Sequence, residues 1–265
     1  MSILEKIALR TKERIEAQKR EMPFAELKKR VCSIETKQGF PFEKALRSEE
    51  LAFICEVKKA SPTKGIISEN FPYLAIGKEY EMAGAAAISV LTEPYFFQGA
   101  DVYLREIAEV VKIPLLRKDF VIDAYMIYEA KILGAAAVLF ICSLLEKETL
   151  LCYIKIAHDL GLSALVEVHD EVEVQMAIDA GAKIIGVNHR NLKTFAVDIG
   201  LSERLRGLVP KEIIFISESG IRNPKDVARL QAIEVDGVLI GESIMRSQDK
   251  KVEIQRLRGY RHDKG

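Results

Sequence analysis

The sequence predicts a (β/α)8 barrel, or TIM barrel, with an extra helical segment at its N-terminus. Short runs of apolar and β-branched residues alternate with longer segments of helical periodicity, and eight such units can be counted. The 265 residues are also close to the roughly 250 that one barrel needs. A doubly wound open sheet is the alternative, but no Gly-x-Gly-x-x-Gly turn follows the first strand. The alternation therefore favours a closed parallel sheet.

Glycines mark the boundaries between the predicted units. Several strands are introduced by nearly the same phrase, which is GAAAIS from Gly84, GAAAVL from Gly134 and GAKIIG from Gly181. Glycine accepts the left-handed conformation that ends a helix, and the small residues after it let the next strand pack closely. The predicted strands are 52–59, 86–92, 114–120, 137–143, 163–169, 183–188, 213–219 and 236–241.

The segment before the first strand, residues 1–45, is predicted to be a helical extension that could cap one end of the barrel. Its first 19 residues mix acidic and basic side chains and lack the apolar run of a signal peptide. No low-complexity linker divides the chain, so residues 1–265 are expected to form one domain.

Composition excludes several classes of function. The 39 basic and 39 acidic side chains balance, so no general attraction to nucleic acid is expected. The most apolar stretch, residues 132–145, is shorter than the roughly 18 to 20 residues of a membrane span, so no membrane association is expected. The cysteines lack CxxC spacing, which argues against a zinc site or disulfides and favours a cytoplasmic location; they are Cys32, Cys55, Cys142 and Cys152.

Charged residues occur at the predicted strand ends, where the active site of such a barrel lies. Glu56 and Lys58 are two residues apart on the first strand and therefore share a face. The third strand supplies Lys118 and the fifth supplies Glu167. Buried charges are costly unless they are paired, so their convergence predicts shifted pKa values and general acid–base catalysis. Structural ion pairs that close the barrel end are the alternative.

Further polar residues follow the sixth strand, where Asn188 and Arg190 form either part of the site or a polar rim. His169 and His189 lie beside strand ends but have no metal-ligand spacing, so we expect structural roles for both and no metal site. The loop 61–65, which begins with Ser61, could close over a ligand or be an ordinary solvated turn.

A phosphate site is predicted at the last two strands, the usual place in this fold. Ser219 and Gly220 follow the seventh strand, and Gly241 and Glu242 follow the eighth. Glycine lets backbone N–H groups approach an anion at the start of a helix. The Glu242 carboxylate would repel phosphate, so we expect it to contribute its amide and point its side chain away. Plain helix capping is the alternative at both turns.

Seven segments occur in an order that resembles the indole-3-glycerol-phosphate synthase family of tryptophan biosynthesis. They are EVKKASPTKG, SVLTEPYFFQG, LRKDF, VEVHD, GVNHRNL, SESGI and LIGESIM. The resemblance implies a carboxy-lyase that closes the indole ring of 1-(2-carboxyphenylamino)-1-deoxyribulose 5-phosphate with loss of carbon dioxide and water, without a cofactor. Members of this family are sometimes fused to phosphoribosylanthranilate isomerase, but too few residues follow Met245 for a second barrel, so the monofunctional form is expected. The resemblance leaves open transient contact with other enzymes of the pathway.

The resemblance implies a role for each charged residue. Lys118 would be the general acid that protonates the substrate carbonyl. Lys58 would hold the substrate carboxylate, with Glu56 orienting it, and Glu167 would stabilise positive charge on the anilino nitrogen. Which of these groups moves each proton is left open, because coupled groups share their titrations. Asn188 would bind the sugar hydroxyls.

The resemblance also identifies supporting contacts to the substrate. Ser61, Arg190 and Ser219 would assist binding. The apolar wall around the aromatic ring would comprise Phe97, Leu116, Phe120, Leu139, Ile141, Leu192 and Leu239. The same residues are also ordinary core residues, and only those near the mouth can contact a ligand. Two alternatives remain, which are phosphoribosylanthranilate isomerase and a barrel that binds metabolites without catalysis.

Overall fold

Eight parallel strands close into a barrel in the computed structural model, which describes residues 2–34, 39–47 and 50–259. Each strand pairs with its neighbours in the chain, and the first and last strands pair to complete the ring. The fold prediction is confirmed, and every predicted strand contains the observed one. The strands are β1 Ala52–Val57, β2 Ala87–Leu91, β3 Leu115–Lys118, β4 Ala137–Ile141, β5 Ser163–Val168, β6 Ile184–Asn188, β7 Ile214–Glu218 and β8 Gly237–Ile240.

Helices surround the barrel and also precede it. They are α1 Ile3–Glu21, α2 Phe24–Cys32, α3 Pro41–Leu46, α4 Tyr73–Met82, α5 Asp101–Val110, α6 Ala124–Ile132, α7 Lys147–Asp159, α8 Glu171–Asp179, α9 Gly200–Arg206, α10 Pro224–Gln231, α11 Glu242–Arg246 and α12 Lys250–Leu257. The repeated glycines Gly84, Gly134 and Gly181 follow α4, α6 and α8 with φ angles of 81°, 85° and 81°. They adopt the left-handed conformation that the sequence phrase predicted.

Side chains alternate between two layers along each strand, as the period of two requires. On β1, Phe53 and Cys55 pack in the layer between sheet and helices, whereas Ile54 packs inside the barrel with Leu116 and Leu165. Mainly hydrophobic side chains fill the barrel interior as far as the layer below the strand ends, with the small buried hydroxyls of Ser89 and Ser163 among them. The charged side chains that face inward lie beyond that layer.

The N-terminal extension covers both ends of the barrel, whereas the sequence predicted a cap at one end. The first residues of α1, including Ile3 and Ile7, lie over the mouth at the carboxyl ends of the strands. Phe42 and Leu46 of α3 are fully buried with the apolar residues of the interior, and Arg47 donates to the carbonyl of Glu212 just before β7. The helix α3 thus closes the opposite end.

Two ion pairs hold α1 against the segment that follows β3. Arg14 donates to both carboxylate oxygens of Asp119, at 3.0 and 2.9 Å, and Lys19 donates to Asp123 at 2.6 Å. Asp119 is buried and also pairs with the buried guanidinium of Arg117 at 3.6 Å. Among the helices of the described ranges, none combines the length and apolar character that crossing a membrane requires.

Candidate active site

The carboxyl ends of the strands open into a pocket of about 500 Å³. Each of the eight strands contributes at least one residue to its wall, and the start of α1 contributes apolar side chains. With one exception, every site residue that the sequence predicted lines this pocket. The exception is Leu116, which is fully buried in the interior because it lies two residues before Lys118 on β3, one layer deeper.

Lys118 lies between two buried carboxylates at the end of β3. Its ammonium donates to Glu167 Oε2 at 2.9 Å and to Glu218 Oε2 at 3.1 Å, and both glutamates have only 2% of their side-chain surface exposed. Burial alone would lower the pKa of Lys118, but the two carboxylates raise it above its usual range. Lys118 is therefore a charged ammonium in the free pocket.

The two carboxylates around Lys118 differ in their affinity for a proton. Burial opposes ionisation of Glu167, but the charges of Lys118 and His169 hold its pKa well below the usual range. Burial raises the pKa of Glu218 to about 7, and repulsion by Glu167 adds to this rise against the attraction of Lys118. Asn188 also donates to Glu167 Oε1 at 3.0 Å. Two acids whose environments separate their pKa values suit different roles in proton transfer.

Glu218 was not among the residues that the sequence identified, although its neighbour Ser219 was. Two signals point to it. Ile214 and Ile216 face the interior, so the period of two places Glu218 on the same face at the strand end. On the adjacent strand β6, Gly186 leaves the space that the Glu218 carboxylate occupies, because a Cβ there would overlap it.

Glu56 and Lys58 form a second ion pair at the end of β1, as their shared face predicted. Both are largely buried, and the neighbouring backbone carbonyl of Glu56 accepts from the Tyr80 hydroxyl at 3.1 Å. A Cβ at Gly241 on the next strand end would overlap the Glu56 carboxylate and crowd the Lys58 ammonium. Glycine at this position therefore leaves room for the ion pair in its observed arrangement.

Asn188 and Arg190 reach the pocket from the end of β6. Asn188 is buried, and its Oδ1 accepts from the Arg190 amide at 3.0 Å, while its amide group holds Glu167. Ser219 has a φ of 69°, which is uncommon for a residue with a side chain, and Gly220 follows with a φ of 79°. This left-handed pair turns the chain at the end of β7, beside the turn at Gly241.

The carboxylate of Glu242 is directed to two cations at the rim. It lies 3.4 Å from Arg246 Nε on α11 and 3.6 Å from Lys64 Nζ. Lys64 belongs to the loop after β1, where the short strands Ala60–Ser61 and Gly65–Ile66 pair as an antiparallel hairpin. The ion pair to Lys64 therefore connects this loop to the start of α11.

Apolar side chains form another part of the pocket wall. The rings of Phe97 and Phe120 are 5.8 Å apart between centroids and tilted. The other predicted wall residues that line the pocket are Leu139, Ile141, Leu192 and Leu239, and Ser61 lines it at the hairpin. The site therefore has the mixed character of a ligand pocket, with convergent polar groups on an apolar base.

The two histidines near the strand ends have different surroundings. His189 contacts the Ser219 carbonyl at 2.9 Å and the Ser202 hydroxyl at 2.7 Å, and its burial lowers its pKa. It is a satisfied structural residue, as predicted. His169 instead lies beside Glu167. In the part of the chain that the structure describes, no group of three or more His, Cys, Asp or Glu residues could hold a metal ion.

A family model described as indole-3-glycerol phosphate synthase matches residues 4–257. The chain belongs to the indole-3-glycerol phosphate synthase family. The indole-3-glycerol phosphate synthase of Ruminiclostridium cellulolyticum is 58% identical over 257 residues, which are 97% of this chain and 99% of that protein. The one of Lachnoclostridium phytofermentans is 51% identical over an alignment of 267 positions, which covers 97% of this chain and 98% of that protein.

Solved structures of other proteins share the fold. The 3-hexulose-6-phosphate synthase of Salmonella typhimurium aligns with a TM-score of 0.64 at 15% identity, covering 79% of this chain and 98% of that one. This likeness shows the barrel alone.

Membership of the indole-3-glycerol phosphate synthase family confirms the enzyme that the motifs predicted. The protein is a carbon–carbon lyase of tryptophan biosynthesis, and its activity is the formation of indole-3-glycerol phosphate. The family also decides against phosphoribosylanthranilate isomerase, which the sequence had left as an alternative.

Proposed function

We propose that this pocket closes the indole ring of 1-(2-carboxyphenylamino)-1-deoxyribulose 5-phosphate by general acid–base catalysis. The observation that carries the proposal is the ammonium of Lys118 between two buried carboxylates of different pKa. Ring closure, loss of carbon dioxide and loss of water are together redox-neutral. Side chains that hold and move protons are therefore sufficient, and no cofactor is needed.

Lys118 is the general acid in this proposal. Attack by the ring carbon that bears the carboxylate develops negative charge on the substrate carbonyl oxygen, and a positioned ammonium stabilises that charge and donates a proton to it. Its pKa in the free pocket is raised by the carboxylates of Glu167 and Glu218, against the lowering effect of burial. A substrate oxygen that displaces one carboxylate removes part of that rise. Binding would thus make Lys118 a stronger acid.

Glu218 and Glu167 divide the remaining work according to their pKa values. Glu218, with a pKa of about 7, is partly protonated at neutral pH and 3.1 Å from Lys118, so it can return the proton that Lys118 gives away. It can then accept the proton released when the new ring becomes aromatic. Glu167 stays ionised and stabilises positive charge on the anilino nitrogen.

Lys58 and Glu56 act on the leaving group. The ammonium of Lys58 would hold the substrate carboxylate until it departs as carbon dioxide, and the ion pair with Glu56 would keep that ammonium in place. Asn188, with Arg190 and Ser219 in support, would bind the sugar hydroxyls.

The substrate phosphate would be bound by the turns after β7 and β8, through the backbone amides of Gly220, Gly241 and Glu242. Two observations support this: all three residues line the pocket, and the carboxylate of Glu242 is directed to Lys64 and Arg246. The paired rings of Phe97 and Phe120 would contact the aromatic ring of the substrate and exclude water.

The proposal also covers the domain organisation, the location and the partners of the enzyme. We infer one domain, because α1 and α3 of the extension contribute to the packing of the barrel. A cytoplasmic location is supported by the free thiols of all four cysteines. Transient contact with other enzymes of tryptophan biosynthesis stays a prediction from the family resemblance.

Turnover of the carboxyphenylamino substrate, followed by the fluorescence of the indole product, tests the proposal. Lys118→Ala should reduce turnover by at least about a hundredfold, since general acid catalysis typically contributes that much or more. Its unfolding temperature should also fall, because Glu167 and Glu218 lose the cation that they share, so turnover is compared at a temperature at which both proteins are folded. Lys155→Ala, at an exposed lysine on α7, is the matched control. Near-normal turnover by Lys118→Ala would refute the assignment, and absence of turnover by the wild type would favour a non-catalytic barrel.

A further inference from the structure

His169 lies between two carboxylates at the end of β5. Its Nδ1 is 3.0 Å from Glu173 Oε2, and its Nε2 is 3.4 Å from Glu167 Oε1. The Nε2 atom is buried and finds no hydrogen-bond partner among the residues that the structure describes. The backbone amide of His169 also donates to Glu173 Oε2, at 2.7 Å. The ring is therefore clamped on one side and faces the active-site carboxylate on the other.

Glu167 depends on cations because only 2% of its side chain is exposed. An ionised carboxylate at such a site is costly unless opposite charge or hydrogen bonds compensate it. Three groups do so, which are Lys118 on Oε2 and both Asn188 and His169 on the side of Oε1. Lys118 is the group that must turn to the substrate and give up its proton during the reaction. At that moment His169 is the cation that remains beside Glu167.

We propose that His169 is a positioning residue, an imidazolium clamped by Glu173 that keeps Glu167 ionised and in place while Lys118 is engaged with the substrate. The inference rests on the roles proposed above for Lys118 and Glu167. The two cations have different roles in this proposal. Lys118 moves to the substrate and donates a proton, whereas His169 stays beside Glu167 as its counter-ion. The sequence had suggested only a structural role for His169.

The charge state of the ring agrees with this geometry. Burial alone would lower the pKa of His169, but Glu167 and Glu173 raise it to about 10, so the ring is charged at neutral pH. Beyond Glu167, the next charged or polar groups are Lys118 from β3 and Asn188 from β6, which contact that carboxylate, and Glu218 from β7, which contacts Lys118. Beside Glu173, the thiol of Cys142 from the single helical turn after β4 donates to the Glu173 carbonyl at 3.7 Å. Asp170, the next residue, caps α8.

Capping of the helix α8 could explain why position 173 is a glutamate, but it does not explain why position 169 is a histidine. Asp170 accepts from the Glu173 amide at 2.8 Å, and the Glu173 carboxylate accepts from the His169 amide, so both contacts would survive any side chain at position 169. His169→Gln keeps an amide that can donate near the Nε2 position but removes the charge. This variant therefore removes the charge of the ring while it leaves the cap of the helix α8 intact.

In His169→Gln the pKa of Glu167 should rise, because one opposite charge 3.4 Å from its Oε1 is lost. The kcat–pH profile reports the substrate complex, in which Lys118 is engaged with the substrate and no longer lowers the pKa of Glu167 fully. Its acid limb should move up by about one unit, so kcat on that limb falls about tenfold, while KM changes less than about threefold. His158→Gln, on α7, is the matched control and should leave the profile unchanged. A His169→Gln profile that superimposes on that of the wild type would overturn the proposal.

Proton NMR of the imidazole signals gives a second readout that does not depend on turnover or on folding of the variant at position 169. The chain has four histidines, so the signal of His169 can be assigned by replacing the others. In the wild type His169 should stay protonated well above pH 7, and in Glu167→Gln and in Glu173→Gln it should titrate at lower pH. Titration near the ordinary value of about 6.5 in the wild type would overturn the proposal.

The two experiments also separate this inference from the proposed function. If Lys118→Ala kept its turnover, the assignment of the general acid would fail while the coupled titration of His169 and Glu167 could still be observed. If instead His169 titrated independently of Glu167→Gln, the present inference would fail and the result for Lys118→Ala would stand.

Discussion

Replacing Glu218 by glutamine is expected to raise the stability of the protein and lower its activity. The fully buried Glu218 carboxyl has its pKa raised from 4.5 to about 7, first by burial and then by the neighbouring carboxylates, against the attraction of Lys118. Glutamine has the shape of the protonated acid but never ionises. The variant therefore removes the cost of holding a charge at this position.

The size of the stability gain follows from the rise in the pKa of Glu218. A rise from 4.5 to about 7 corresponds to about 3 kcal/mol at about 1.4 kcal/mol per unit. Between these two pH values the folded protein binds a proton that the unfolded chain has released. The wild type therefore loses stability as pH rises through this window, and the loss persists above it. Glu218→Gln should be close to the wild type at pH 4.5 and more stable by up to about 3 kcal/mol at pH 8.

Activity should change in the opposite direction. If Glu218 returns the proton that Lys118 donates, its loss removes one step of general acid–base catalysis, and kcat should fall by about a hundredfold or more. The wild-type rate should decline as pH rises through about 7, where Glu218 ionises, and this limb should be absent in the variant.

Urea unfolding at pH 4.5 and pH 8 measures the first effect, and the pH profile of product fluorescence measures the second. Glu167→Gln is the matched control, because Lys118 and His169 hold the pKa of Glu167 below its ordinary value although burial opposes this. That acid stabilises the folded protein when ionised, so its replacement should destabilise the protein at pH 8. The reasoning is refuted if Glu218→Gln is less stable at pH 8 than the wild type, or if its kcat is unchanged.

Two further substitutions test how the pocket is built. Gly241→Ala places a methyl group against Glu56 and Lys58, so turnover should fall at least about tenfold with little change in the urea midpoint of unfolding. Gly207→Ala is the control, because a Cβ there meets open space. Equal activity of the two variants would contradict the argument. Arg14→Met removes the cation that binds both oxygens of the buried Asp119, so the free energy of unfolding should fall by about 3 kcal/mol in urea titration, and a loss below about 1 kcal/mol would show that Arg117 compensates.

The fold could be predicted because its signals are local. The alternation of apolar runs with helical periodicity depends on neighbours a few residues apart, and so does the left-handed glycine after α4, α6 and α8. Strand boundaries were predicted one or two residues too long, since polar residues such as Lys58 continue the β pattern beyond the last hydrogen-bonded residue of the strand. Such an error does not change which face a side chain takes.

Part of the site could be predicted from the alternation of side chains along a strand, in which every second residue faces the same side. Glu56 and Lys58 had to share a face, and the strand-end positions of Lys118 and Glu167 followed from the fold. The depth of each side chain did not follow, because it depends on the stagger of the closed barrel. Leu116 therefore belongs to the layer beneath the pocket, although the family resemblance had included it in the wall.

By itself, the sequence determined the barrel fold, the family, and which strand ends carry charged residues, because local periodicity and the order of the motifs are sufficient to identify them. Only the tertiary structure decided that Lys118 donates to Glu218 as well as Glu167, and that His169 faces the same carboxylate. The contacts of Lys118 cross the mouth between β3, β5 and β7, which do not pair with one another and whose ends meet only because the barrel closes. His169 follows the same strand as Glu167, and the contact with Glu173 holds its ring beside that carboxylate. The pKa differences that separate the two acids arise from that burial and have no counterpart in the linear sequence.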